Sequence, residues 1–193
     1  MTPPGYRELL QFWFGDPMPA QFASARATWF TKDDAFDARV RDRFRATWEQ
    51  AQKGGLDARR ADAIPLLAFI VLTDQFPRNM FRGTPQAFAT DGMALAAARV
   101  AVARGYDRML PPVQRWFVYL PFEHAEDIAV QRASLRLFAG LAGEADSASA
   151  IDYAQRHHDI IERFGRFPHR NAVLGRVSSA AEAAFLRQPG SGF

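Results

Sequence analysis

The sequence predicts an all-α protein, a single-domain antiparallel array of helices. Three observations carry that expectation. Apolar residues recur at three- and four-residue spacing through most of the chain. Sustained period-two alternation of β-branched residues, the mark of strands, is missing. Gly, Pro and capping residues punctuate the periodic stretches at short intervals, which suits helices packed against their chain neighbours. At 193 residues one domain is the default, and 48% hydrophobic content with 17 Phe and 4 Trp supplies a full core.

Each element follows from its own signals. Tyr6 to Phe14 carries Leu9, Leu10, Trp13 and Phe14 on one face, and Gly15-Asp16-Pro17 stops it. Thr31 offers the next N-cap, with Asp33 and Asp34 in the first turn, where the helix dipole favours negative charge. Phe36, Val40, Phe44, Trp48 and Ala51 then repeat until Gly54-Gly55. Asp62 caps a helix that tolerates Pro65 in its first turn and runs to about Gln75. An Ala-rich helix covers Asp91 to Arg104. Pro111-Pro112 opens a short one through Tyr119, which Pro121 breaks, and another runs from about Ala125 to Leu141. Gly143 to Ser149 is the most linker-like segment, too short to divide the chain, and Ile151 to Phe164 is helical. Ser179-Ala-Ala-Glu182 is a capping box for a last helix to about Gln188. The expected organisation is one domain over residues 1–188 and a flexible tail over 189–193.

Composition narrows the function classes. No window approaches the roughly 18 apolar residues of a membrane span, and the N-terminus lacks a signal peptide's basic start and apolar stretch. With no Cys, disulfides and thiolate chemistry are excluded, and a cytoplasmic location is the plain expectation. All but two of the 24 basic residues are Arg, yet acidic residues interleave with them (Asp33, Asp34 and Asp37 against Arg39, Arg41 and Arg43). That patterning reads as a salt-bridged surface, so neither nucleic acid nor membrane is expected as a partner. A phosphate-binding Gly-Lys-Ser/Thr loop, a Gly-x-Ser-x-Gly elbow and a His-Glu-x-x-His helix are all missing, and no cofactor is expected. A homo-oligomer is left open.

What remains is a doubled phrase and a histidine cluster. Phe76-Pro77-Arg78-Asn79 and Phe167-Pro168-His169-Arg170-Asn171 each join an aromatic ring, a proline, a guanidinium and an amide, then reach a second Arg near a Gly. Proline should end the preceding helix and leave donors beside unsatisfied carbonyls. Structurally, Arg78 would pair with Asp74 and Arg170 with Glu126, while the Asn amides satisfy helix ends. Functionally, Arg78, Asn79, Arg170 and Asn171 converging on one cleft would clamp a carboxylate or phosphate, with Arg166 and His169 in support. The copies are unequal. The first has Asp74 to neutralise it, whereas Arg166 to Asn171 gathers three basic groups with no acid, so the anion is to be sought there.

All four His (His124, His157, His158 and His169) fall between residues 124 and 169. Glu123, Glu126 and Asp127 stand around the expected start of a helix, where they would serve its positive end. His124 beside them is a candidate general acid or base, because carboxylates fix its tautomer and raise its pKa. His157 and His158 lie on different faces of one helix. A metal set of two His with Glu126 or Asp127 is weak, since no two His stand at i, i+4, and no metal ligands are assigned.

Several of these residues form an ordered set that is similar to a known family. Trp13-Phe14-Gly15, Trp29-Phe30, Asp74-Gln75-Phe76-Pro77-Arg78-Asn79 with Phe81-Arg82-Gly83-Thr84, Pro121-Phe122-x-His124-x-Glu126, His157, and Phe164 to Asn171 with Leu174-Gly175-Arg176 resemble a bacterial family catalogued as domain of unknown function 924. The resemblance covers nearly the whole chain. It implies a tetratricopeptide-repeat-like helical fold and no established activity. Where that family usually reads Pro-Phe-Met-His-Ser-Glu, this chain places Glu123 and Ala125.

The function expected is therefore binding of a small anionic ligand, with acid–base or hydrolytic chemistry in reach. His124, His157 and Glu126 are the candidate catalytic residues. Asp74, Arg78, Asn79, Arg166, His169, Arg170 and Asn171 are the candidate ligand-binding residues. The alternative is a helical scaffold that takes a peptide or partner protein in a groove. A metal-dependent hydrolase stands third.

Overall fold

The architecture follows from where the apolar faces meet. The computed structural model describes residues 5–15, 24–56 and 62–192. The helices are α1 (Tyr6–Phe14), α2 (Asp34–Gln52), α3 (Ala63–Ile70), α4 (Phe76–Met80), α5 (Asp91–Ala103), α6 (Pro112–Glu123), α7 (Ile128–Ala139), α8 (Ser147–Phe164) and α9 (Ala180–Leu186). Short 3₁₀ turns at Ala27–Trp29, Pro85–Phe88, Asp107–Met109 and Pro168–Arg170 link them, and no strand occurs among the described residues. α7 packs on both α6 and α8, α5 on both α3 and α6, and α2 on α4. No helix among the described residues is long and apolar enough to cross a membrane.

Aromatic rings fill the core. Trp13, Phe14, Phe44, Phe76 and Phe117 are almost wholly buried, with ring centroids 4.8 Å apart for Phe44 and Phe76 and 5.1 Å for Phe14 and Phe117. Burying each such side chain contributes about 2 kcal/mol. The Trp13 carbonyl, freed at the end of α1, accepts from Arg26 Nη1 at 2.7 Å and from Trp29 Nε1 at 2.9 Å. These bonds tie the Ala27–Trp29 turn to α1. A smaller cluster of Ile160, Ile161 and Phe167 with Phe164 and Phe185 seats the C-terminal segment.

Several expected boundaries move, each for a physical reason. Asp33, not Thr31, caps α2, accepting from the amides of Ala35 and Phe36. α8 begins at Ser147 rather than Ile151, because buried Ser147 accepts from Trp116 Nε1 at 3.0 Å and draws the supposed linker into the fold. Pro121 does not break α6. It removes one N–H, but Phe117, Val118, Leu120 and Phe122 are all buried, and their packing outweighs that loss. The Ser179–Glu182 capping box forms as expected. The N-terminal leader reading, the Asp16-Pro17 stop and residue 193 of the tail lie outside the described residues.

Candidate functional site

The first phrase stays helical, contrary to the expectation that its proline would end the helix. Between α3 and α4 the chain widens into a π turn, Val71–Gln75, closed by a bond from the Phe76 amide to the Val71 carbonyl. Pro77 has no N–H to give the Thr73 carbonyl four residues back, so that carbonyl accepts from Thr90 Oγ1 at 2.6 Å. Thr90 in turn accepts from Trp48 Nε1 at 3.1 Å. The wider turn and this side-chain substitute let helix run through proline, and π turns of this kind are frequent at functional sites.

The π turn drives Asp74 into the interior, where it is 0% exposed. Gln75 Nε2 donates to its Oδ2 at 2.6 Å, and His124 Nδ1 lies 2.8 Å from its Oδ1. Burial alone would raise the Asp74 pKa, but His124 and Arg78 outweigh it and hold the carboxyl at about 2. An ionised carboxylate only accepts, so His124 carries its proton on Nδ1. Burial, then Arg78, pushes the His124 pKa down and keeps the ring neutral. Its Nε2 therefore presents a lone pair. Among the described residues the His124 side chain hydrogen-bonds through Nδ1 alone, and it keeps 11% exposure.

Two guanidinia stand over this dyad. Arg78 donates to the Asp74 carbonyl at 2.7 Å and grips Asp91 bidentately at 2.8 and 3.0 Å. Arg170 donates from Nη1 to the His124 carbonyl at 3.1 Å and lies 3.5 Å from Asp91. Its guanidinium is held against Phe167 and Phe88, 4.4 and 4.7 Å from their ring centroids. The Arg170 Nε is buried with no partner among the described residues. Burial and the neighbouring Arg78 bring its pKa down to about 10, still charged at neutrality.

Behind the dyad lies a second buried pair. Glu123, the last residue of α6, places Oε1 3.1 Å from His157 Nδ1, which also lies 2.9 Å from the Tyr153 carbonyl. Burial and the nearby Asp74 charge raise the Glu123 pKa well above the carboxylate range, so this acid is neutral. Burial likewise lowers His157, and burial with Arg170 lowers His169 to about 4. The ring centroids of His124 and His157 are 6.2 Å apart.

The structure thus brings Asp74, Arg78, His124 and Arg170 together, with His157 and His169 alongside. It takes the other expected residues elsewhere. Asn79 faces α2 and donates to Asp37 at 2.7 Å, where Arg82 also binds. Arg166 is clamped to Glu182 at 2.6 and 2.9 Å. Asn171 bridges Arg176 and Ser178. Glu126 accepts from the Phe167 amide at 2.7 Å and pairs with Arg176 at 2.6 Å, so Arg176 takes the place foreseen for Arg170. Asp127 alone of the three acids caps α7. Asp91, Phe88 and the buried, neutral state of Glu123 went unseen in the sequence. Asp91 lies 13 residues beyond Arg78, and no local spacing connects the two.

Two shallow surface grooves lie elsewhere, one along Asp127, Ile128, Arg132 and Glu162, the other along Arg163, Phe164, Arg166 and Glu182. One group among the described residues brings three possible metal-ligand atoms within 4.8 Å of one another: His158, Asp159 and Glu162 of α8. It includes none of His124, His157, Glu126 or Asp127.

Comparison with known proteins places the chain. The profile of a family described as bacterial protein of unknown function, domain of unknown function 924, matches residues 9–190, and the chain belongs to that family. It is similar to the solved structure of ATU0120, a protein of unknown function from Agrobacterium tumefaciens. The two share 41% identity over 94% of this chain and 96% of the other, with a TM-score of 0.82. No protein of curated function matches.

Proposed function

We propose that this family member binds a small anionic ligand beside His124 and Arg170, with His124 as the proton-accepting group. One observation carries the reading. A fully buried carboxylate, Asp74, fixes His124 from behind at 2.8 Å, while Nε2 on the other side of the ring is left without a protein partner among the described residues. A carboxylate–imidazole pair in this sense holds the tautomer and supports the imidazolium once a proton arrives. Arg170 supplies the positive edge, since Arg78 is already committed to Asp74 and Asp91. Proton transfer is the chemistry within reach, activation of a water for hydrolysis included.

The tetratricopeptide-like scaffold reading calls for a continuous apolar groove. The most exposed large apolar side chains, Phe30, Met109 and Val177, come from three separate connections, which favours the anion site. Thermal-shift measurement against carboxylates and phosphates tests the proposal. Stabilisation of the wild type, lost in Arg170→Met, is expected. If no anion raises the melting temperature of the wild type, the proposal fails.

A further inference from the structure

We propose that the site takes up a small carboxylate together with one proton, lodged on Nε2 of His124, and discriminates against phosphate and sulfate. This rests on the anion-binding reading above and adds the charge class of the ligand.

Charge balance sets the class of ligand. Asp74 from the π turn, Arg78 from α4, Asp91 from α5 and Arg170 from the Pro168–Arg170 turn surround His124. Two guanidinia face two carboxylates, so the site is neutral as built. The Glu126–Arg176 pair beside it adds nothing to the balance. Glu123, His157 and His169 are each held uncharged by burial. An anion entering a neutral, largely buried site brings uncompensated charge, which is costly. One proton cancels a monoanion; it leaves a dianion half uncompensated.

This proton also has a prepared place. His124 Nδ1 is committed to Asp74, whose carboxylate then faces an imidazolium rather than a neutral ring. His157 has its Nδ1 committed between the Tyr153 carbonyl and Glu123. Arg170 bonds the backbone carbonyl of His124 itself, which ties the guanidinium to the residue that would carry the proton. A two-oxygen ligand can bridge them, one oxygen toward Arg170 and the other accepting from the protonated Nε2.

Calorimetric titration with acetate, formate, phosphate and sulfate, in buffers of different ionisation heat, reads the proton count directly. Above pH 7 the carboxylates should bind with uptake of about one proton, and their affinity should fall about tenfold per pH unit. Phosphate and sulfate should bind at least about tenfold more weakly. His124→Asn keeps a donor toward Asp74 and should lose both proton uptake and pH dependence. If that variant does not fold, the proton count of the wild type decides alone. Carboxylate binding without proton uptake, or tighter binding of phosphate or sulfate, overturns the inference while leaving an anion site in place. If no anion of either class binds, the site reading falls with it.

Discussion

Phe76–Asn79 and Phe167–Asn171 share an aromatic ring, a proline, a guanidinium and an amide, yet they fold differently and leave their arginines in different states. The first copy continues a helix. The π turn before it and the Thr90 hydroxyl make good what Pro77 removes. The second copy follows Gly165, whose φ of +70° ends α8 in the left-handed region, and it settles into a 3₁₀ turn. Arg78 thereby bonds the Asp74 carbonyl and both Asp91 oxygens, whereas Arg170 is pressed against two rings with its Nε unpartnered among the described residues. Flanking residues, not the shared phrase, decide which guanidinium holds the fold and which keeps a donor without a partner among the described residues. The charge surplus expected around the second copy is partly neutralised, since Arg166 is paired with Glu182 and Asn171 is bonded to Arg176.

The largest expected effect comes from exchanging the two roles. Arg78→Met leaves Asp74 and Asp91 without their common guanidinium and should cost about 3–5 kcal/mol in urea unfolding. Arg170→Met keeps apolar bulk against Phe88 and Phe167 and should cost about 1 kcal/mol, while abolishing the response to anions. Equal losses in the two variants would dissolve the contrast.

Acid should come next. Burial holds His124, His157 and His169 below the ordinary value of 6.5, with His169 at about 4, so the unfolded chain binds more protons between those values. The His169 contribution is present above pH 6.5 and lost as pH falls toward 4, on the order of 3 kcal/mol, and His124 and His157 act in the same direction. Glu123 runs the other way. Its raised pKa contributes stability below 4.5 that is lost as pH rises, opposing the imidazoles. Unfolding free energies measured from pH 7 to pH 4 check the sign; a flat profile contradicts it.

Gly165→Ala should cost about 1–2 kcal/mol through backbone strain alone, since a Cβ there meets open space. A neutral result would mean that the left-handed turn does not set the second copy. The smallest effect is a gain. Glu123→Met removes a buried carboxyl whose Oε2 has no partner among the described residues, and should raise stability by about 1 kcal/mol.

Helix identity was legible in the sequence because the stripe Phe36–Val40–Phe44–Trp48 and the Ser179–Glu182 capping box are local signals. Proline was misread twice for one reason. Its lost hydrogen bond is local, but the Thr90 hydroxyl near Pro77 and the packing of Phe117 and Phe122 around Pro121 are tertiary. The site was half legible. His124, Asp74 and Arg170 announced themselves as residue types that need partners. Asn79 and Arg166 looked alike in kind but found theirs on α2 and α9. Asp91 could not be paired with Arg78 before α5 was placed against α3 and the π turn.

The account turns on the protonation of one ring, and nitrogen NMR of histidine-labelled protein reads it directly, with His124→Asn supplying the assignment. Near pH 7.5, in the range where a neutral imidazole is expected, free His124 should carry its proton on Nδ1 alone, and acetate should bring a second proton to Nε2. A ring already doubly protonated without ligand, or an Nε2 unchanged by acetate, would contradict the account.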